Sequence, residues 1–219
     1  MSKLADFWLP VNVTVKVSVI ASLIVFATGI LAARLMVYMR FRGKSVIETM
    51  IMLPLVLPPT VVGLLLITLL GHRSAPGRLT EFVFSHSLLF TWQGAVAASA
   101  VVAFPLMYQS AVSGFLSIDQ SIVEASRVDG ASQWASFLYI ELPLCSKALL
   151  SGFILSFTRA LGEFGATLMV AGNIPGKTQT LSLAVYTAYD SGDLPSMWGW
   201  VAVSILISFF LLSISSKMR

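Results

Sequence analysis

Long apolar blocks separated by short polar stretches dominate the chain. Five of them, 11–39, 49–70, 92–115, 147–172 and 194–216, reach the length of about 20 residues that a helix needs to cross a bilayer. Backbone polar groups inside a bilayer must be satisfied internally, so these blocks predict membrane-spanning α-helices and an all-α integral membrane fold. The second block carries Pro54, Pro58 and Pro59, which predict a kink or local unwinding whose freed carbonyls face protein or a cavity. Pro105 gives the third block a kink point of its own. In the fourth, Ala148, Gly152, Ser156 and Ala160 recur every four residues, a ladder of small side chains that lets another helix approach closely. Gly162, Gly165 and Gly172 predict that this helix loosens before Asn173.

Between the third and fourth blocks lies a polar island, 117–143, which from Glu124 to Pro143 reads EASRVDGASQWASFLYIELP. It predicts two short helices. Ser117 and Gln120 have capping-box spacing, so the first helix starts near Ile118; Gly130 suits the left-handed position that closes it. Ser132 caps a second helix, which stops by Pro143. Helices shorter than about 12–15 residues are marginal alone in water, so the island requires a partner surface. Elsewhere, Met1–Pro10 reads as a short polar lead. Residues 71–90 read as a polar outer loop with His72 and His86 solvated, and 173–195 as an outer connection holding a short helix around Leu181–Tyr186. A signal peptide ending near Ala32 and Ala33 competes for the first block, but the run is long and further spans follow.

Composition agrees with a membrane protein: 57% of residues are hydrophobic and 11% charged, where a soluble domain carries about a quarter charged. The net charge of +4 predicts no nucleic-acid partner, because the basic residues sit between apolar blocks rather than along one helical face. They set topology instead. Arg34, Arg40, Arg42 and Lys44 form the densest basic cluster and place the loop after the first block in the cytoplasm. The island then lies in the cytoplasm, the amino terminus outside, and the carboxyl terminus, with Lys217 and Arg219, inside.

Candidate chemistry is sparse. Cys145 stands alone, which excludes an intrachain disulfide and a cysteine-rich metal site. Arg159 and Glu163 are four residues apart and share a helix face; mid-membrane charges cost on the order of 2.5–3.5 kcal/mol each on insertion scales, so such residues pair or line a water-filled path. Ala171–Thr178, AGNIPGKT, is one residue away from a phosphate-binding loop, but it follows an apolar block rather than a buried strand, so nucleotide binding by this chain is rejected. No nucleophile and base pair or metal-protease motif is evident, which predicts a chain without an enzymatic reaction, a bound metal or a cofactor of its own.

The order Glu124, Ala125, Ser126, Gly130, Ile140, Leu142, Pro143 resembles the gapped EAA signature of permease subunits of bacterial ATP-driven importers, with serine for the usual second alanine. The likeness extends over LPLVLPP at Leu53–Pro59 and LGEFGATLMVAGNIPGKTQTL from Leu161 to Leu181, blocks similar to the molybdate permease family, with sulfate and tungstate permeases as near relatives. The resemblance implies a type I ABC importer permease fold in which 117–143 is a coupling segment seated in a cytoplasmic ATPase. It also implies two permease copies, two ATPases that carry the ATP and magnesium, and an external oxyanion-binding protein, all in or on the bacterial inner membrane among its lipids. Glu124 is then the polar contact, to the ATPase or to the base of the neighbouring helices, Gly130 the turn, and Trp134, Phe137 and Leu138 the apolar anchors, with packing against the ends of the membrane helices as the competing reading for each of the three. Pro54, Pro58 and Pro59 with Arg159, Glu163, Phe164 and Thr167 are expected to line a path shared between the two copies. An ion-coupled carrier using Arg159 and Glu163 is the rival reading.

Overall fold

A computed structural model describes residues 2–217, with side chains from 6 to 211 and at 213. Helix α1 (Ser2–Tyr38) begins well inside the stretch read as a polar lead and carries Pro10 within it. A tertiary contact explains the difference. Phe7 stacks on Trp200, with ring centroids 5.6 Å apart, and the Trp200 indole N–H donates to the Phe7 carbonyl at 2.8 Å, so this turn is held from the side.

The second apolar block becomes two helices, α2 (Lys44–Val56) and α3 (Pro59–Leu70), bent by 119°. That exceeds a kink. Leu57 and Pro58 each precede a proline, which disfavours the helical region for both, and with two such residues in succession both are extended (φ −68°, ψ 143° and φ −53°, ψ 134°). Residues 71–90 are not a simple loop, because α4 (Ala75–Phe84) lies within them, capped by the Ser74 hydroxyl accepting from the Gly77 N–H at 2.8 Å. Its exposed Leu79, Phe82 and Val83 have helical spacing that the surrounding polar residues masked. His72 is exposed and pairs with Glu81.

Helix α5 (Trp92–Leu116) runs unbroken through Pro105 and forms the centre of the molecule. After it come α6 (Gln120–Val128), α7 (Gln133–Ser136), a π-helical turn (Phe137–Glu141) and α8 (Leu142–Leu144). Helix α9 (Ser146–Leu161) meets that run at a 74° bend; α10 (Gly165–Ala171), α11 (Leu181–Ser191) and α12 (Leu194–Lys217) complete the chain. Among the described residues, three helices are long and apolar enough to cross a membrane, and up to five spans result if each bent pair is counted as one. The charge of Arg219 lies outside the described residues, as does the side chain of Lys217.

Side chains of α1, α5 and α9 fill the main core, including Val17, Val25, Met107, Phe115 and Leu149. The small-residue ladder packs α9 on α5: a Cβ on Gly152 would meet the Ser110 Cβ at 2.7 Å, and the Ala148 Cβ fills the space beside Gly114. Backbones this close exchange dispersion contacts that larger side chains would prevent. A second core joins α3, α5 and α10 through Val62, Leu66, Val102 and Val170.

Candidate coupling surface and candidate path

The polar island starts one cap later than its sequence suggests. Asp119, not Ser117, caps α6, its carboxylate accepting from the Ser121 N–H at 2.9 Å; that bond holds the Asp119 carboxyl below the usual carboxylate range. Ser117 closes α5 instead, its hydroxyl donating to the Gly114 carbonyl at 2.7 Å. Gly130 has φ +91° with open space around it, and the Ala131 N–H reaches back to the Ser126 carbonyl at 3.0 Å, the geometry of a left-handed helix end. The Ser132 hydroxyl accepts from the Ala135 N–H at 3.1 Å. The helix that follows does not stop by Pro143. Between Phe137 and Glu141 it widens to a π-turn, with the Leu142 N–H bonded to the Phe137 carbonyl, and Pro143 is accommodated in the turn beyond.

Two helices this short are held by what lies beneath them. Val123 and Ser126 of α6 are buried, and the Ser126 hydroxyl donates to the Val123 carbonyl at 2.7 Å and sits 3.1 Å from the buried Ser136 hydroxyl. The serine that departs from the EAA pattern therefore bonds α6 to α7 at a contact where only small residues fit. Below them lies an ion pair absent from the sequence reading. The Arg34 guanidinium on α1 binds Glu141 through two bonds, Nε to Oε2 at 3.1 Å and an NH2 group to Oε1 at 3.2 Å, and donates to the Gln133 carbonyl at 3.0 Å. It also lies 4.3 Å from the centre of the Phe137 ring. Glu141 is 0% exposed, and Arg34 is its ion-pair partner among the described residues. Arg34 was counted only as topology, and Glu141 was missed; the one signal for it is an acid alone in the apolar run FLYIELPL.

Burial reassigns the anchors. Phe137 is 4% exposed, packed between Phe115 and Arg34, and is part of the core rather than a docking side chain, because the π-turn directs it inward. Trp134 (62%) and Leu138 are exposed, and so are Val128 (86%), Ile122 and Tyr139 of the island, which sequence reasoning did not single out. Glu124 and Ala125 are exposed, with no ion-pair partner for Glu124 among the described residues; Ile140 and Leu142 are partly covered and Pro143 is exposed. One side of the island is pinned to the protein, and the uncovered side mixes the charged Glu124, Arg127 and Asp129 with apolar side chains.

The second site is the interruption between α9 and α10. Arg159 and Glu163 pair at 2.7 Å, and the other oxygen of Glu163 accepts from the Ala166 N–H at 2.7 Å, so the carboxylate both neutralises the arginine and caps α10. Thr167 is buried, and its hydroxyl lacks a hydrogen-bond partner among the described residues. Phe164 packs edge-on to Tyr186 at 5.5 Å. A Cβ on Gly165 would meet the Pro59 Cβ at 3.1 Å, so the Pro58–Pro59 bend and the Arg159–Thr167 stretch do come together. Pro54 lies apart from them, in an apolar pocket of about 300 Å³ with Ile24, Met50 and Phe104. The AGNIPGKT stretch makes no cradle: the N–H groups of Lys177, Thr178 and Gln179 converge on the Ile174 carbonyl, and the Thr178 hydroxyl is spent on the Ile174 N–H at 3.0 Å.

An apolar helical body broken twice, with a pair of short polar helices between its third and fourth apolar blocks, has the architecture of a multi-pass membrane protein. Solved structures share this architecture: a chain of a bacterial ABC transporter involved in the import of alginate (TM-score 0.71, 16% identity, 97% of this chain and 79% of that one) and a chain of the MetNI methionine ABC transporter (TM-score 0.69, 16% identity, 96% and 94%). The fold is that of type I ABC importer permeases. The chain belongs to the family described as the binding-protein-dependent transport system inner membrane component, whose model matches residues 25–218. It is 52% identical over 95% of its length to YvgM of Bacillus subtilis, assigned as a molybdenum transport system permease protein (92% of that protein), and 41% identical over 82% of its length to the molybdenum transport system permease ModB of Escherichia coli K12 (79%). The sulfate transport system permease CysT of the same bacterium is 33% identical over 92% of this chain and 72% of its own length.

Proposed function

We propose that this chain is the permease subunit of an ATP-driven importer of molybdate, with tungstate and sulfate as the competing substrates. Two copies form the path, an external binding protein delivers the anion, and two cytoplasmic ATPases bind the ATP and magnesium, so this chain holds no cofactor. The chain crosses the inner membrane five times, with its amino terminus outside and its carboxyl terminus and island in the cytoplasm. ATP closes the ATPase pair, the islands move with it, and the permease pair opens outward; hydrolysis reverses the shift through the same contacts. The observation that carries the reading is the 41–52% identity to molybdenum permeases, and the exposed apolar side chains Trp134, Leu138 and Val128 of the island suit a groove on a partner. The lower identity to the sulfate permease ranks sulfate second.

Uptake assays with the cognate binding protein and ATPase test it. Molybdate is expected to be accumulated in preference to sulfate at equal concentration, and the ATPase to co-purify with this chain. Preferential sulfate uptake would reassign the substrate. Uptake by the chain alone, driven by an ion gradient, would replace the reading with an ion-coupled carrier.

A further inference from the structure

The island leaves the membrane body by two covalent routes, through Ser117 into α5 and through Cys145 into α9. Its attachment to α1 has no covalent part: Met36 and Val37 pack on the core that holds Val123 and Phe137, Tyr38 lies against Glu141 and Gln120, and the directional bonds come from Arg34. That side chain meets four residues of the island: both oxygens of Glu141, the Gln133 carbonyl, and the Phe137 and Trp134 rings. Twenty positions earlier on the same helix, about 30 Å away at a rise of ~1.5 Å per residue, the Thr14 hydroxyl accepts from the Leu181 N–H at the start of α11, at 2.6 Å. Further along, Phe7 holds Trp200 of α12. No break interrupts α1 between these ends.

Resting on the proposed coupling to an ATPase, we infer that the Arg34–Glu141 pair is a joint that makes α1 a rod, delivering movement of the island to α11 and α12 at the far end of the molecule. Arg34 and Glu141 are positioning residues: neither contacts the transported anion, and their effect passes through the orientation of α1. The bonding supports a stiff joint. A bidentate guanidinium–carboxylate fork fixes direction as well as distance, and burial of Glu141 makes opening the fork costly.

The test uses the assembled importer. Glu141→Gln is expected to leave ATPase co-purification and unstimulated hydrolysis within about twofold of wild type, while uptake and hydrolysis stimulated by the binding protein fall at least tenfold. Arg34→Glu or Glu141→Arg alone should be equally uncoupled, and the two together, which restore the pair with its charges exchanged, should recover most of the uptake. If Glu141→Gln does not accumulate, the Arg34→Met and Glu141→Leu double variant, which leaves no buried charge, decides: an intact complex without stimulation supports the joint, and native uptake overturns it. An unchanged ratio of uptake to hydrolysis in Glu141→Gln, or an exchanged pair in a folded complex that still fails to transport, also overturns it. Failure of the wild-type chain to retain an ATPase would instead overturn the coupling reading itself.

Discussion

The two Arg–Glu pairs occupy opposite kinds of position. Arg159 lies in the last turn of α9 and Glu163 in the break that follows, so they do not share one helix face, and their bond stabilises a local event, the restart of the helix at α10. Arg34 and Glu141 are 107 residues apart and join α1 to the island, so their bond fixes how two parts of the chain sit relative to each other. The first pair needs only the end of α9 and the turn after it, while the second exists only once the whole bundle has assembled. A buried carboxylate therefore serves here either as a cap or as a joint, and the other bonds of its arginine distinguish the two.

Breaking the joint should have the largest effect. Glu141→Ala leaves the Arg34 charge without its carboxylate, a loss of about 3–5 kcal/mol of the kind seen when one half of a buried pair is removed; thermal unfolding in detergent reads it, and a shift no larger than that of a surface variant would show the pair to be dispensable. Next comes the uncovered face. Trp134→Ala should weaken ATPase binding by about 2 kcal/mol, roughly 30-fold in affinity, with a smaller loss of stability in the isolated chain, because the ring also meets Phe137 edge-on at 5.9 Å. If stability falls and ATPase binding does not, the docking face lies elsewhere.

The cap should be milder. Glu163→Ala is expected to cost about 1–3 kcal/mol, whereas Glu163→Gln, which can still accept from the Ala166 N–H, should cost less than half of that. Arg159→Glu then separates structure from path, since a side chain that lines the path should depress uptake of a divalent anion well beyond its effect on stability. Smaller again, Ser126→Ala should cost about 1 kcal/mol by leaving the Ser136 hydroxyl short of a partner, and adding Ser136→Ala should recover most of it. The smallest effect belongs to Asp119. Its folded-state carboxyl is depressed, so its contribution to α6 is fully present above the ordinary carboxylate range and is lost as pH falls through the depressed value. Faster amide exchange in α6 at acid pH should report this, and Asp119→Asn should flatten the dependence.

Much of the island was legible because its determinants are local. Gly130 closes α6, and Ser132 caps the next helix, through bonds to residues a few positions away. The capping error at Ser117 was also local, a choice between two adjacent oxygens that was decided by where α5 ends. Phe137 could not be assigned in the same way. A large aromatic in a short amphipathic helix can face inward or outward, and the π-turn that directs it inward depends on packing against Phe115 and Arg34.

By itself the sequence determined the helical class, the apolar blocks, the break at Pro58–Pro59, the Arg159–Glu163 pair and the location of the island, since each follows from composition, backbone restriction or residues less than two turns apart. Only the tertiary structure decided that Met1–Pro10 leads into helix from Ser2 onward, that Phe137 belongs to the core while Val128 is left uncovered, and that Glu141 finds Arg34. The physical reason is the same in each case. These features depend on which surfaces meet after the helices pack, and no local rule carries that information across 107 residues.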